Sequence, residues 1–307
     1  MRDADLAAAD EIVRTAFGTF LGLPEPRAFM GDAAFVKPRW RSNPTAAFAA
    51  EARDTLVGSN FAARWGSFGF FGPLSVRPEL WDRGIGKRLL EPVMERFDSW
   101  QVTHAGLFTF AHSQKHIALY QRFGFWPRFL TAVMAKPVLS AQGRIPDWSA
   151  FSRTASEQRP ALLAACREVS GALYDGLDLS DEIEAVATLN LGETALLWVD
   201  GRLAGFAVCH FGAGTEGGSG NCYVKFAAVR AGGAAAANFA ALLNVCEALA
   251  RDRGLNSLTA GTNLARAEAY SLMRTHGFRT ALQGVAMQRP NEDGFNRSGV
   301  FIIDDWR

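Results

Sequence analysis

Laid on itself with a shift of 153 residues, the chain aligns without a gap from residue 76 to residue 125. Val76-Arg77 falls on Val229-Arg230, Leu89-Leu90 on Leu242-Leu243, Thr109 on Thr262, Leu119 on Leu272 and Gly124-Phe125 on Gly277-Phe278. Eight of the fifty pairs are identical, so the weight lies in their positions, which are the corners of one motif. Leu56-Val57-Gly58 matches Leu203-Ala204-Gly205 at a shift of 147, and the six-residue difference falls in the glycine-rich stretch Gly212 to Gly220, where a loop insertion costs little. A period this long is no solenoid. It calls for two domains of one fold, and 307 residues divide into two units each able to bury its own core. We expect a first domain over 1–140, a linker over 141–153 carrying Gly143, Pro146 and Asp147, and a second domain over 154–307.

The stretch richest in chemistry is Trp81-Asp82-Arg83-Gly84-Ile85-Gly86, between a β-like run ending in Leu74-Ser75-Val76 and a helix starting near Lys87. A strand, a glycine turn and a helix start present backbone N–H groups to an anion. The first N–H groups of a helix lack internal partners, and the macrodipole puts partial positive charge there. Gly84 and Gly86 permit close approach and backbone angles that a Cβ hinders. Arg83, Lys87 and Arg88 add full charges. Alone, such a turn also reads as an ordinary turn. Downstream stand Ser113, His116, Leu119 and Tyr120, then Gly124-Phe125. His116, Leu119 and Tyr120 share a face at helical spacing, and Gly124 is expected just past the helix end.

These residues carry a resemblance. Val76-Arg77-Pro78, Arg83-Gly84-Ile85-Gly86, Leu89-Leu90 and Leu119-Tyr120-Gln121-Arg122-Phe123-Gly124-Phe125 resemble, in order and spacing, the GNAT superfamily of N-acetyltransferases over roughly residues 1–140. The resemblance implies an α/β (α+β) protein of two tandem domains, each a mixed, mostly antiparallel sheet flanked by helices. It implies acetyl-coenzyme A as cosubstrate, held at Leu74, Ser75, Val76, Arg83, Gly84, Ile85, Gly86, Lys87, Ser113 and His116, with backbone N–H groups near Leu74 to Val76 polarising the carbonyl. It also implies two strands splayed apart to admit the cofactor, which suits Pro73 inside the run 67–76. Trp81 stands where the family usually carries Arg or Gln.

The second copy lacks this chemistry. Gly84 becomes Ala237, Gly86 becomes Phe239, Tyr120 becomes Met273 and Ser113 becomes Arg266. An alanine-rich turn favours helix, and Phe239 puts a ring where a phosphate would approach. We read this half as a degenerate GNAT-like domain. The segment Phe301 to Asp304 reads as a closing strand, and Trp306 as a ring docked on a domain.

Composition excludes several classes. Thirty-two basic and thirty-one acidic residues nearly cancel, so the footprint of a nucleic-acid binder is missing. No apolar run reaches membrane-spanning length. The acidic start Met1-Arg2-Asp3-Ala4-Asp5 is unlike a signal peptide. Cys166, Cys209, Cys222 and Cys246 lie far apart in apolar segments, without metal-ligand spacing, and read as reduced buried thiols. We expect a cytoplasmic protein, monomer or homodimer, binding no metal, nucleic acid or membrane.

Acyl transfer from a thioester to an amine needs a base, since an amine near pKa ~10.4 is protonated at neutral pH. It needs donors for the carbonyl oxygen and a proton donor for the leaving thiolate. Tyr120 suits the last role, although a packed helix tyrosine is its plainer reading. The resemblance implies a strand glutamate or a water chain as the base; Phe68 to Val76 contains no Asp or Glu, and His112, after the next strand, is a candidate beside the water chain. The aromatic-rich stretch Phe17 to Trp40, with Arg27, Arg39 and Arg41, reads as a mixed apolar and anion-binding acceptor pocket. Three functions stay open: an N-acetyltransferase acting by direct attack on a small-molecule or peptide amine, an acetyl-coenzyme A-binding regulatory module without turnover, and a two-domain scaffold.

Overall fold

The computed structural model describes residues 1–139 and 146–307. Its strands are β1 (Ala47–Ala52), β2 (Thr55–Trp65), β3 (Phe68–Phe71), β4 (Ser75–Val76), β5 (His104–Thr109), β6 (Trp126–Pro137), β7 (Trp148–Ala150), β8 (Gly192–Val199), β9 (Arg202–Gly212), β10 (Gly218–Val229), β11 (Ser257–Asn263), β12 (Arg279–Arg289) and β13 (Ile302–Ile303). Its helices are α1 (Leu6–Phe20), α2 (Val36–Ser42), α3 (Ile85–Ser99), α4 (Gln114–Gln121), α5 (Arg159–Gly171), α6 (Ser180–Thr188), α7 (Ala235–Asp252) and α8 (Ala267–Thr275). The fold is mixed α/β: a mostly antiparallel sheet with helices packed on it.

The repeat is exact at the level of strand register. In the first half Phe68, Gly69 and Phe70 of β3 pair in parallel with His104, Ala105 and Gly106 of β5. Adding 153 to each gives Asn221, Cys222 and Tyr223 against Ser257, Leu258 and Thr259, the observed parallel pairs of β10 and β11.

The two halves do not keep to themselves. The sheet runs β1-β2-β3-β5-β12-β6-β11-β10-β9-β8-β7. The last long strand of the second half, β12, lies between β5 and β6 of the first half, and β6 pairs on its other edge with β11. The exchange is symmetric. Val285↔Thr109 in β12·β5 becomes Ala132↔Thr262 in β6·β11 when 153 is subtracted from one partner and added to the other. A pseudo-twofold axis therefore passes through β6·β12, and each half completes the other's sheet, as in a domain swap within one chain. The core follows: Trp65, Phe68 and Phe70 of the first half share one buried cluster with Phe206, Phe226 and Phe295 of the second.

Of the expected linker over 141–153, residues 141–145 lie outside the described residues. Trp148–Ala150 is not linker but β7, paired antiparallel with β8. Its alternating short run falls under the mean strand length, so periodicity did not mark it. Helix α2 starts within the aromatic-rich stretch Phe17 to Trp40, with Pro38 buried in its first turn at a position that needs no N–H.

A buried ion-pair network joins the halves. Arg39 of α2 reaches Glu216 with Nε at 2.9 Å and Nη2 at 3.2 Å. Lys225 reaches Glu216 at 3.1 Å and Glu182 at 2.8 Å. Burial alone would raise the Glu216 carboxyl, but Arg39 and Lys225 outweigh it and hold it down at about 2; Glu182 is likewise held well below the usual carboxylate range, against burial, chiefly by Lys225. A depressed carboxylate stabilises the fold above its unfolded pKa near 4.5 and loses that contribution as pH falls through the folded value. Acidification from pH 5 to pH 3 is therefore expected to remove on the order of 2 kcal/mol, read as a falling thermal midpoint. Glu216→Gln should lower the midpoint at pH 7 and flatten this acid slope.

Candidate functional site

The central strand breaks where Pro73 predicts. β3 ends at Phe71, a cis Gly72–Pro73 bond follows, and β4 pairs only with β2, Ser75 against Ser59 and Val76 against Gly58. Beyond Gly106 the edge of β5 facing β4 is thus unpaired by it, and a cavity of about 1070 Å³ opens between them. The Arg77 N–H donates to Val57 O at 2.9 Å, so strand alternation turns the Val76 N–H the other way, into the cavity.

At one end of this cavity stands the glycine turn. Gly84 is the N-cap of α3, in the left-handed region at φ +76°, and no side chain caps the helix. The first helical bond runs from Arg88 N to Gly84 O, which leaves the N–H groups of Ile85, Gly86 and Lys87 without helical acceptors. A Cβ on Gly86 would meet only Leu119 Cδ2 at 3.5 Å and Leu74 Cδ2 at 3.9 Å. The cradle is open and suits a phosphate-bearing ligand. Trp81 does not reach into it as a cation would. Its indole folds back and donates to Val76 O at 2.8 Å, while Lys115, paired with Asp82, lies over its ring at 5.9 Å.

Helix α4 supplies the other wall. Ser113 is its N-cap and accepts from the His116 N–H at 3.4 Å, and Gly124 ends it at φ +83°. Tyr120 is buried with its ring edge-on to Phe71 at 5.7 Å. Burial alone pushes its phenol far up, so the group stays protonated and can donate. His116 sits 6.5 Å from the Tyr120 ring, and burial first, then Lys115 and His112, lower its pKa. All three favour the neutral imidazole. His112 is solvent-exposed and stacks on Phe20 at 5.5 Å.

Of the ten residues expected to hold the cofactor, nine line the cavity: Leu74, Ser75, Val76, Gly84, Ile85, Gly86, Lys87, Ser113 and His116. Arg83 is exposed and is not part of the wall. Tyr120 and His112 line it as well. The anion-binding half of the expected acceptor pocket is corrected: Arg39 is paired with Glu216, Arg27 pairs with Glu11 at the surface, and Arg41 is exposed and off the cavity wall. The aromatic half remains. Leu282, Trp306 and Arg307 also line the cavity, although they come from the second half. Only Trp306, as a docked ring, left any signal in the sequence.

The corresponding cleft of the second half is filled. Ile303 and Ile302 pair with Ala227 and Ala228 of β10, the positions equivalent to Leu74 and Ser75. The Asp304 N–H then donates to Gly261 O of β11 at 3.0 Å. Arg266, equivalent to Ser113, is fully buried and grips Asp304 with Nη1 at 3.1 Å and Nη2 at 2.9 Å. Phe239, equivalent to Gly86, packs on Phe301 at 5.5 Å. The slot that is open in the first half holds the chain's own segment in the second.

Among the described residues, no helix is long and apolar enough to cross a membrane. In sequence, the acetyltransferase (GNAT) family profile matches residues 11–125. No curated protein matches the chain. Solved structures share its fold at low identity. A candidate acetyltransferase from Pyrococcus horikoshii aligns with a TM-score of 0.68 at 14% identity, over 99% of this chain and 92% of its own. A GCN5-related N-acetyltransferase from Sphaerobacter thermophilus aligns at 0.57 and 17% identity, over 94% and 93%. A tandem GNAT protein from the clavulanic acid biosynthesis pathway aligns at 0.52 and 15% identity, over 91% and 96%. Residues 11–125 thus match the acetyltransferase (GNAT) family profile, and the chain as a whole shares its fold with a tandem GNAT protein.

Proposed function

We propose that the protein is an N-acetyltransferase that takes acetyl-coenzyme A in the first half and passes the acetyl group to an amine. The observation that carries the reading is one cavity joining an uncapped helix N-terminus at Gly84 to the phenol of Tyr120. Acetyl-coenzyme A supplies the activated thioester. The α3 N–H groups and Lys87 hold its phosphates, and the Val76 N–H faces the carbonyl oxygen, where charge develops. Tyr120, kept protonated by burial, donates to the departing sulfur. His112 takes the proton from the amine. Its exposure lets it return that proton to water, which the more buried His116 does less readily.

A regulatory module without turnover would need the same cradle but no use for Tyr120 or His112. Calorimetric titration with acetyl-coenzyme A, followed by thiol release in the presence of amines, separates the two. We expect one cofactor per chain and thiol release with amine. Binding without release from any amine would favour the module. Ala237→Gly, which copies Gly84 into the second turn, is expected to leave the stoichiometry at one, because Ile302 to Asp304 already occupy that slot.

A further inference from the structure

The wall of the same cavity also carries Phe17, Phe20, Phe29, Phe108, Phe110 and Trp306. On β5 and just beyond it, Gly106, Phe108 and Phe110 share one face by strand alternation. Phe110 meets Phe20 at 5.1 Å and Phe17 at 6.3 Å, and Phe29 stacks on Phe17 at 5.5 Å with planes 8° apart. At the other end Trp306 lies on Gly106, where a Cβ would come within 2.6 Å of the indole. The second half's filled cleft fixes this wall, since β13 and the Arg266–Asp304 pair anchor the segment that carries Trp306.

Charge is nearly absent from this end. The acid on the cavity wall, Asp82, stands at the glycine turn and pairs with Lys115. Arg307 is held by Asp305 at 3.0 Å and lies over the Tyr223 ring at 4.7 Å. A polyamine or an amino sugar entering here would give up hydration for nothing in return. A flat apolar ring would gain burial together with face and edge contacts.

We infer that the acceptor is a primary amine carried on an aromatic ring system, with the ring held against the aromatic wall to which Phe20, Phe110 and Trp306 contribute. The inference rests on the acetyltransferase reading above. The amine nitrogen attacks the thioester carbonyl, the C–N bond forms and the C–S bond breaks. The nitrogen loses one proton to His112, and the sulfur leaves as thiolate and takes one from Tyr120.

The test uses tryptamine, 2-phenylethylamine, spermidine and glucosamine, each measured by calorimetry against the protein saturated with coenzyme A and by thiol release from acetyl-coenzyme A. The two aryl amines are expected to bind at least about ten-fold more tightly than the other two, the scale of an aromatic contact plus its burial. Phe20→Ala and Trp306→Ala should each weaken aryl-amine binding by about ten-fold, with acetyl-coenzyme A affinity retained. Trp306→Phe, checked for folding by its thermal midpoint, should recover part of the loss. Preference for spermidine or glucosamine, no binding of the aryl amines, or indifference to both substitutions would overturn the inference. So would a preference for octanoyl- over acetyl-coenzyme A, which would give the chamber to the acyl chain. Aryl amines that bind without releasing thiol would uphold the ring pocket and overturn the acetyltransferase reading.

Discussion

Gly86→Phe is expected to weaken acetyl-coenzyme A binding by more than about 100-fold while leaving a folded protein. Gly86 sits in the first turn of α3 with no positive φ, so its backbone suits any residue. A methyl group there finds ordinary contact distances to Leu119 and Leu74, and Gly86→Ala should cost little. A phenyl ring extends from the same bond into the cradle, where it excludes the phosphates and covers the free N–H groups. The second half displays the outcome: Phe239, at the equivalent position, is fully buried and its cleft is closed. Gly84→Ala differs in kind, since Gly84 is left-handed at φ +76° and a Cβ strains the backbone by roughly 1–2 kcal/mol. Calorimetry on the two Gly86 variants reads the difference. Retained affinity in Gly86→Phe would place the phosphates elsewhere.

Tyr120→Phe is expected to lower kcat by about 10²–10⁴ and to leave acetyl-coenzyme A affinity unchanged. The substitution deletes one oxygen from a ring already seated against Phe71, so packing and cradle survive. The pH profile sharpens the test. Burial raises the phenol above its usual value of 10.0, so Tyr120 remains a donor throughout the working range and should impose no falling limb below pH 10. Below pH 10 the profile of Tyr120→Phe should therefore keep the shape of the unmodified protein's at the lower rate. Unchanged turnover would remove Tyr120 from the chemistry and leave it a packing residue.

Much of the site was legible because its determinants are local. A glycine before α3 is readable because a helix start in the left-handed region tolerates little else. Ser113 and Gly124 bracket α4 by capping rules that span one turn. Pro73 announced a broken ladder because it has no N–H to give. The expected anion-binding role of Arg39 failed for the opposite reason. Its partner Glu216 is 177 residues away in sequence, and nothing near either residue marks the pair. Arg83 lies outside the cavity wall, since charge beside a helix start does not say which way a long side chain turns.

The sequence by itself determined that the chain holds two copies of one motif, that only the first keeps the glycine turn and the tyrosine, and that a strand, a glycine turn and a helix follow one another there. Periodicity, capping and backbone conformation act over a few residues and leave their marks there. The tertiary structure alone decided which strand lies beside which. β6 and β12 carry the same pattern and satisfy the same ladders, so either could close either half, and the exchange is settled by the packing of the whole sheet. From that exchange follow the shared core, the closed second cleft and the placing of Trp306 on Gly106. These contacts join residues far apart in the chain, and burial rewards the pair only once both have been brought together.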